Sequence, residues 1–320
     1  MPGLGGSALP RQERHCSGPG AAPPASGPAG RAGDTSSALG GALAAFTAAI
    51  PVAHVEAGLR SHDPLMPWPE EEYRTAIDAH ADLLFAPTKL AAANLRAERV
   101  AGSIMVTGNT GIDAAIKTQA ELPPPSLRDR GQPRLLVTCH RRENWGEGLS
   151  SVAQALRQLA DEGTAAIEVL LHPNPHVAKT AKRLLGGCSS ITLLPPCSHR
   201  ELLTRMRECD LMLSDSGGVQ EEAPALGVPL LVLREKTERP EALWTGNMRL
   251  IGTDNKRIVD AVRNLLGDPA ALAAMAQPCL PYGDGRAAYR IAALIEQWLV
   301  ARGAKLPVRQ PAPARAARSQ

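Results

Sequence analysis

The chain has 320 residues, 44% of them hydrophobic, enough to bury two ordinary cores. Its formal charge of +3 sits at the ends: residues 1–33 hold +2 and residues 301–320 hold +5, which leaves −4 for the body. A mildly acidic body argues against a nucleic-acid surface, and no apolar run reaches the roughly 18 residues that a membrane span needs.

Six cysteines, at 16, 139, 188, 197, 209 and 279, form no CxxC pair and no metal spacing, as expected of reduced thiols in a cytosolic protein. The N-terminus has no hydrophobic core after its basic residues, so it is not read as a secretory signal. Residues 1–33 contain eight Gly, six Pro and six Ala, a composition that resists a packed core and predicts disorder. The tail from 303 to 320, with "PVRQPAPARAARSQ", is read the same way.

Between the ends, apolar runs alternate with helical patterns. Strands are predicted at 51–58, 83–88 and 103–108, with a helix over 69–84 that carries Pro69 in its first turn and a second helical stretch through Asn94. A second block predicts strands at 134–138, 167–172, 190–196, 210–216, 228–235 and 247–253. Its helices are expected at 149–162, at 199–209, from Gly218, and from an Asp254 cap to Gly267. Such alternation means βαβ units and parallel sheets. A last helix over 286–302 places Ile291, Leu294, Ile295, Trp298 and Leu299 on one face.

Ligands of open α/β sheets bind outside the carboxyl ends of the strands. His140, His172, Ser216 and Arg234 fall at such ends in the second block, and Glu56 does so in the first. Each alone reads more readily as structural; several on one rim imply a ligand crevice. "SDSGGVQEEAP" (214–224) is the most informative stretch. Backbone N–H groups at Ser216, Gly217 and Gly218 suit a phosphate at a helix N-terminus. A tight turn followed by helix-start acids explains one of Glu221 and Glu222. The other carboxylate could accept two hydrogen bonds from a ribose diol, which a nucleotide would supply.

The chain resembles the non-hydrolysing UDP-N-acetylglucosamine 2-epimerases. The matching stretches include "GDTSSALGGALAA" (33–45), "PVAHVEAGLRSHD" (51–63), "PWPEEEYR" (67–74), "VTGNTGIDA" (106–114), "LVTCHRREN" (136–144), "LHPNP" (171–175), the run 214–242 and "PYGDG" (281–285). The resemblance implies an α/β, GT-B-like fold of two Rossmann-like domains with a crevice between them. It implies diphosphate binding by Ser216, Gly217 and Gly218, ribose binding by Glu222, and an Arg239 near the diphosphate, with His172 among the substrate-binding residues. Catalysis falls on Asp34, Glu56, Glu70 and His140. Glu221 is left without a role beyond helix-start electrostatics. Bland alternatives stand beside each carboxylate: Asp34 as a helix cap, Glu56 as a strand-end residue, Glu70 as a first-turn helix charge.

The implied chemistry eliminates UDP to give 2-acetamidoglucal and adds it back with the opposite C2 configuration, with no metal and no redox cofactor. The family's opening "GTRPE"-type loop has no counterpart in 1–33, where "PASGPAGRAG" has poor strand propensity; the N-terminal domain is therefore expected to be incomplete. Tyr73 replaces the family's Asn. Near the expected uracil site, Cys197 and Leu202 replace a common Gln and a common aromatic. Expected domains are 34–116, joined by helix 286–302, and a nucleotide-binding 117–285. The expected partners are UDP-N-acetylglucosamine and a second copy in a homodimer, with no nucleic acid and no membrane. Two other readings stay open: an inactive UDP-binding remnant, and a GT-B glycosyltransferase that needs an acceptor and releases UDP.

Overall fold

The computed structural model describes residues 29–125 and 131–303. The expectations for residues 1–28 and for the tail beyond 303 lie outside the described residues. The first block runs β1 (Ala29–Ala32), α1 (Ser36–Thr47), β2 (Val52–Val55), α2 (Glu70–His80), β3 (Leu83–Ala86), α3 (Lys89–Ala97) and β4 (Ser103–Val106). Helix α4 (Thr110–Ala120) leads to the second block. That block comprises β5 (Arg134–Thr138), α5 (Glu147–Asp161), β6 (Ala166–Leu170), α6 (Pro175–Leu185), β7 (Ile191–Leu194), α7 (His199–Glu208), β8 (Leu211–Ser214), α8 (Gly217–Leu226), β9 (Leu230–Val232), α9 (Glu241–Trp244), β10 (Met248–Leu250), α10 (Asn255–Leu266) and α11 (Pro269–Met275). Helix α12 (Ala287–Ala301) is the last element among the described residues.

All strand pairs are parallel, in one sheet of order β1-β2-β3-β4 and one of order β10-β9-β8-β5-β6-β7. Helices cover both faces of the six-stranded sheet. Val152, Leu156 and Leu159 of α5 and Ile258 and Val262 of α10 pack on one face. On the other, Ile112 of α4, Leu203 and Met206 of α7 and Val219 of α8 pack against Leu136, Met212 and Leu230. Burial on both faces explains why β8 and β9 are continuous apolar runs rather than alternating ones. In the first sheet, α12 brings Ile291, Leu294, Ile295 and Trp298 against Ala53, Leu83 and Phe85. The last helix thus returns to the block that the chain left at α4.

Local signals account for most boundaries. Asp254 caps α10 through the Arg257 N–H, and Ser198 and Glu201 make a capping box at α7. Helix α8 stops at Gly227, which takes the left-handed conformation; a Cβ there would lie 2.7 Å from the Ala276 carbonyl oxygen.

Three sequence expectations are corrected. Residues 29–32, read as part of a poor strand former, do form β1, in register with Val52–Val55. Parallel pairing draws only on backbone groups, so the neighbouring strand overrides propensity. The cap of α1 is Thr35, whose hydroxyl accepts from the Ala38 N–H at 3.1 Å, which removes the helix-cap reading of Asp34. Helix α8 begins at Gly217, so Glu221 and Glu222 lie past its first turn and helix-start electrostatics do not account for either.

Candidate functional site

The order of the six-stranded sheet reverses between β5 and β8: the chain builds outward from β5 through β6 to β7, then crosses back to β8, β9 and β10. At such a switch point the two loops leaving adjacent carboxyl ends diverge and open a crevice. His140 follows β5 and Ser216 follows β8, so both sequence-predicted rim residues stand at this opening. Buried hydrogen bonds fix the two loops. Thr138 Oγ1 and Ser214 Oγ are 2.6 Å apart, and the Ser216 N–H donates to Ser214 Oγ at 3.0 Å. The fully buried Asp215 accepts from the His140 and Arg141 N–H groups, each at 2.8 Å, and from Asn144 Nδ2 at 2.9 Å. One carboxylate thereby ties "HRREN" to the entrance of α8.

The His140 ring stacks on His172, with centroids 5.1 Å apart and planes at 15°. Burial lowers the His140 pKa from its ordinary value, Asp215 opposes this, and His172 and Arg141 add to it. The ring is therefore biased toward its neutral form. His172 Nδ1 accepts from the Asn174 N–H at 3.1 Å, which orients the second ring of the stack.

Ser216 is the N-cap of α8 and makes no side-chain cap bond. Open space surrounds the position of a Cβ on Gly218. A Cβ on Gly217 would lie 2.9 Å from Arg239 Nη1 and 3.2 Å from Arg141 Nη2. Two guanidinium groups thus converge on the free N–H groups at the start of α8. An anion held there meets the helix dipole and two cations together.

Arg239 is buried and spends its guanidinium on three carboxylates: Nε on Glu221, Nη1 on Glu238 and Nη2 on Glu56, the last at 2.7 Å. Burial opposes its charge, but Glu221, Glu238 and Glu56 outweigh burial and hold its pKa well above the ordinary value. The acids divide accordingly. Burial alone would raise Glu238; Arg239, Arg234, Arg74 and Arg141 overcome it and hold that carboxyl well below the usual range. Among the described residues Glu221 pairs with one cation, already shared, and burial pushes its carboxyl up to about 8 against the pull of Arg239. Glu222 is half-buried and accepts from or shares a proton with His199 Nε2 at 2.7 Å. Burial raises its pKa and His199 lowers it.

The network continues into the first sheet. Arg74, fully buried in α2, pairs with Asp34, approaches Glu71 at 3.3 Å and comes within 4.0 Å of Glu238. Asp34 and Glu56 therefore both reach the Arg239–Glu238 centre, Asp34 through Arg74 and Glu56 directly. Glu56 lies just beyond β2 with φ +73°, a conformation that costs a non-glycine residue about 1–2 kcal/mol. The N–H groups of Glu56 and Ala57 both donate to the Phe85 carbonyl at 3.1 Å, which fixes the kink. Glu70 opens α2 and is half-buried, but it is Arg74, one turn on, that joins α2 to the network.

Of the residues that the sequence singles out, Glu56 and Arg239 meet directly, Asp34 joins them through Arg74, and Gly217 lies against Arg239. His140 is tied to the Ser216 loop through Asp215 and stacks on His172, Gly218 follows in the first turn of α8, and Glu222 pairs with His199. The sequence leaves Glu221 without a role and does not single out Arg74, Arg141, Asp215, His199 or Glu238. Arg74, Arg141 and Glu238 sit inside quoted motifs, one to four residues from a chosen position, so motif membership was their available signal. Arg234, read at a strand end, is buried and faces Glu143 at 3.1 Å and Glu238 at 3.1 Å. Among the described residues, no group of three His, Cys, Asp or Glu is placed to hold a metal ion. No helix among them is long and apolar enough to cross a membrane.

A sequence model of the family described as UDP-N-acetylglucosamine 2-epimerase matches residues 31–296. The chain is 43% identical over 282 residues to a UDP-N-acetylglucosamine 2-epimerase of Salmonella typhimurium, covering 84% of this chain and 75% of that one. Its fold is similar to that of a Neisseria meningitidis UDP-GlcNAc 2-epimerase crystallised with UDP-GlcNAc, at 36% identity and a TM-score of 0.80, over 84% of this chain and 76% of that one. It is also similar to the S. aureus MnaA–UDP structure, at 38% identity and a TM-score of 0.78, over 87% of this chain and 77% of that one. These likenesses run through both sheets and carry the GT-B-like α/β fold. The chain belongs to the UDP-N-acetylglucosamine 2-epimerase family.

Proposed function

We propose that this chain interconverts UDP-N-acetylglucosamine and its C2 epimer by eliminating UDP and adding it back. The observation that carries the reading is the Arg239 junction. One guanidinium stands at the phosphate-type start of α8 and at 2.7 Å from Glu56, so a single side chain joins a leaving-group site to a carboxylate.

In the proposed reaction, Ser216, Gly217 and Gly218 hold the diphosphate and Glu222 holds the ribose hydroxyls once His199 yields or shares its carboxylate. A carboxylate among Asp34, Glu56 and Glu70 takes the C2 proton. The C–H electron pair forms the C1–C2 double bond of 2-acetamidoglucal, and the C1–O bond breaks with its pair on the departing UDP. The helix terminus, Arg239 and His140 stabilise that charge as it develops. A second carboxylate returns a proton to the opposite face of C2 as UDP re-adds. A positioned acid or base contributes about 10²–10⁴-fold to such a transfer. Arg239 Nη2 pairs with Glu56; a diphosphate that takes this donor frees Glu56 to act as a base. The reading carries with it the two-domain division at about residue 116, the homodimer and the cytoplasmic location.

Proton NMR of UDP-N-acetylglucosamine in D₂O tests the reading. The expected result is replacement of the C2 proton by deuterium as the epimer appears. UDP binding without exchange would leave a nucleotide-binding remnant and overturn the epimerase. UDP release that depends on an added acceptor would point to glycosyl transfer.

A further inference from the structure

Glu221, Asn109 and Tyr282 come from three separate stretches of sequence, and the elimination chemistry uses none of them. They meet in a closed hydrogen-bonded circuit behind Arg239. The Arg239 Nε–H donates to Glu221 Oε1, and Asn109 Nδ2 donates to Glu221 Oε2 at 2.5 Å. The Asn109 N–H donates to the Tyr282 carbonyl at 2.7 Å, and the Tyr282 hydroxyl donates back to the Arg239 carbonyl at 2.7 Å. Asn109 is also the cap of α4, accepting from the Gly111 N–H at 2.8 Å. All four residues are buried, Tyr282 completely.

We infer that Glu221 is a positioning residue for Arg239, acting with Asn109 and Tyr282 as a clamp that aims the guanidinium at the start of α8. Three features support this assignment. Both Glu221 oxygens accept from a buried donor, which sets the direction of the Nε–H bond rather than merely neutralising charge. The circuit grips Arg239 at both its side chain and its carbonyl, which leaves few torsions free. The three carboxylate partners also differ in exposure: Glu221 and Glu238 side chains are 5% and 0% exposed, and Glu56 is 25% exposed. Nε and Nη1 are therefore the fixed bonds, and Nη2 is the arm that a ligand can take from Glu56.

The assignment rests on the diphosphate role proposed for Arg239, and a double-mutant cycle tests it. Glu221→Gln keeps the volume and one acceptor oxygen. Wild type, Glu221→Gln, Arg239→Lys and the double variant are compared by calorimetry with UDP and by C2 exchange. Glu221→Gln is expected to lower kcat about tenfold to hundredfold, as a misaimed group does, with a smaller change in KM. In the Arg239→Lys background the same substitution should matter less than about twofold, because its effect passes through Arg239. Tyr282→Phe removes only the hydroxyl and should act in the same direction more weakly, again without effect beside Arg239→Lys. Equal effects of Glu221→Gln in both backgrounds, or wild-type kinetics in Glu221→Gln, would overturn the inference. A wild type that binds no UDP overturns both readings. One that binds UDP without exchange overturns only the epimerase, and the cycle is then read from UDP dissociation constants.

Discussion

Replacing Glu238 by Gln removes one negative charge and almost no volume from a fully buried position. Its carboxylate is bonded to Arg239 Nη1, and Arg234 Nη1, Arg141 Nη2 and Arg74 Nη2 stand at 3.1, 3.7 and 4.0 Å. At an effective dielectric of about 20, each of the three longer contacts is worth about 4–5 kcal/mol before desolvation and mutual repulsion of the cations. Most of that is cancelled in the intact protein. Removing one member of a buried ionic cluster nevertheless leaves its partners uncompensated, at a cost of about 3–5 kcal/mol. For a chain of this size that corresponds to a fall of roughly 4–7 °C in Tm. Thermal unfolding followed by circular dichroism measures it. The pH dependence has a definite sign. A carboxyl held below its ordinary 4.5 contributes its full stabilisation above pH 4.5, and the contribution fades as pH drops toward the lower folded value. The gap between wild type and Glu238→Gln should therefore be constant near neutrality and close below pH 4.5. A Tm change under about 2 °C at pH 7 would refute the reasoning, since it would mean that the four guanidiniums do not depend on Glu238.

Glu222→Ala should weaken UDP binding by about 1–3 kcal/mol, the cost of charge-assisted hydrogen bonds left unmade; unchanged affinity by calorimetry would remove Glu222 from the ribose. Gly217→Ala places a methyl group 2.9 Å from Arg239 Nη1 and 3.1 Å from its Cζ, so both UDP affinity and C2 exchange should drop while the far-ultraviolet spectrum stays native. Wild-type affinity in that variant would put the anion elsewhere. His140→Asn should lower kcat far more than it raises KM, because stabilising a departing charge is a transition-state interaction; an unchanged kcat in steady-state assays would make His140 structural.

The features legible in the sequence were those written in local patterns. Alternating apolar runs and helical stretches gave the parallel α/β architecture, and the strand ends put His140 and Ser216 on one rim. The apolar face of the last helix packs against the first sheet through four of the five residues read from its period. Helices α1, α4, α6 and α11 were not read from their pattern. Helix α1 is made largely of small residues, so its buried face of Ala38, Ala42 and Ala45 shows no contrast with its exposed one. Charges were the least legible. Arg74 and Glu238 look like solvated residues of a helix and a loop, and the partners that hold them buried are distant in sequence for the most part: Asp34 for Arg74, Arg141 for Glu238. Only the family resemblance separates Glu222 from Glu221 in the sequence; in the structure Asn109, 112 residues away in sequence, bonds to Glu221, and His199, 23 residues away, bonds to Glu222.

The left-handed backbone at Glu56 bears on how this protein would respond to selection. A glycine at that position would relieve the torsional cost and would also leave the buried Arg239 Nη2 without its carboxylate, so Glu56→Gly exchanges backbone strain for an unpaired cation. A screen for heat resistance therefore finds little to gain at residue 56. A stabilised version of this protein must find its gains away from the end of β2.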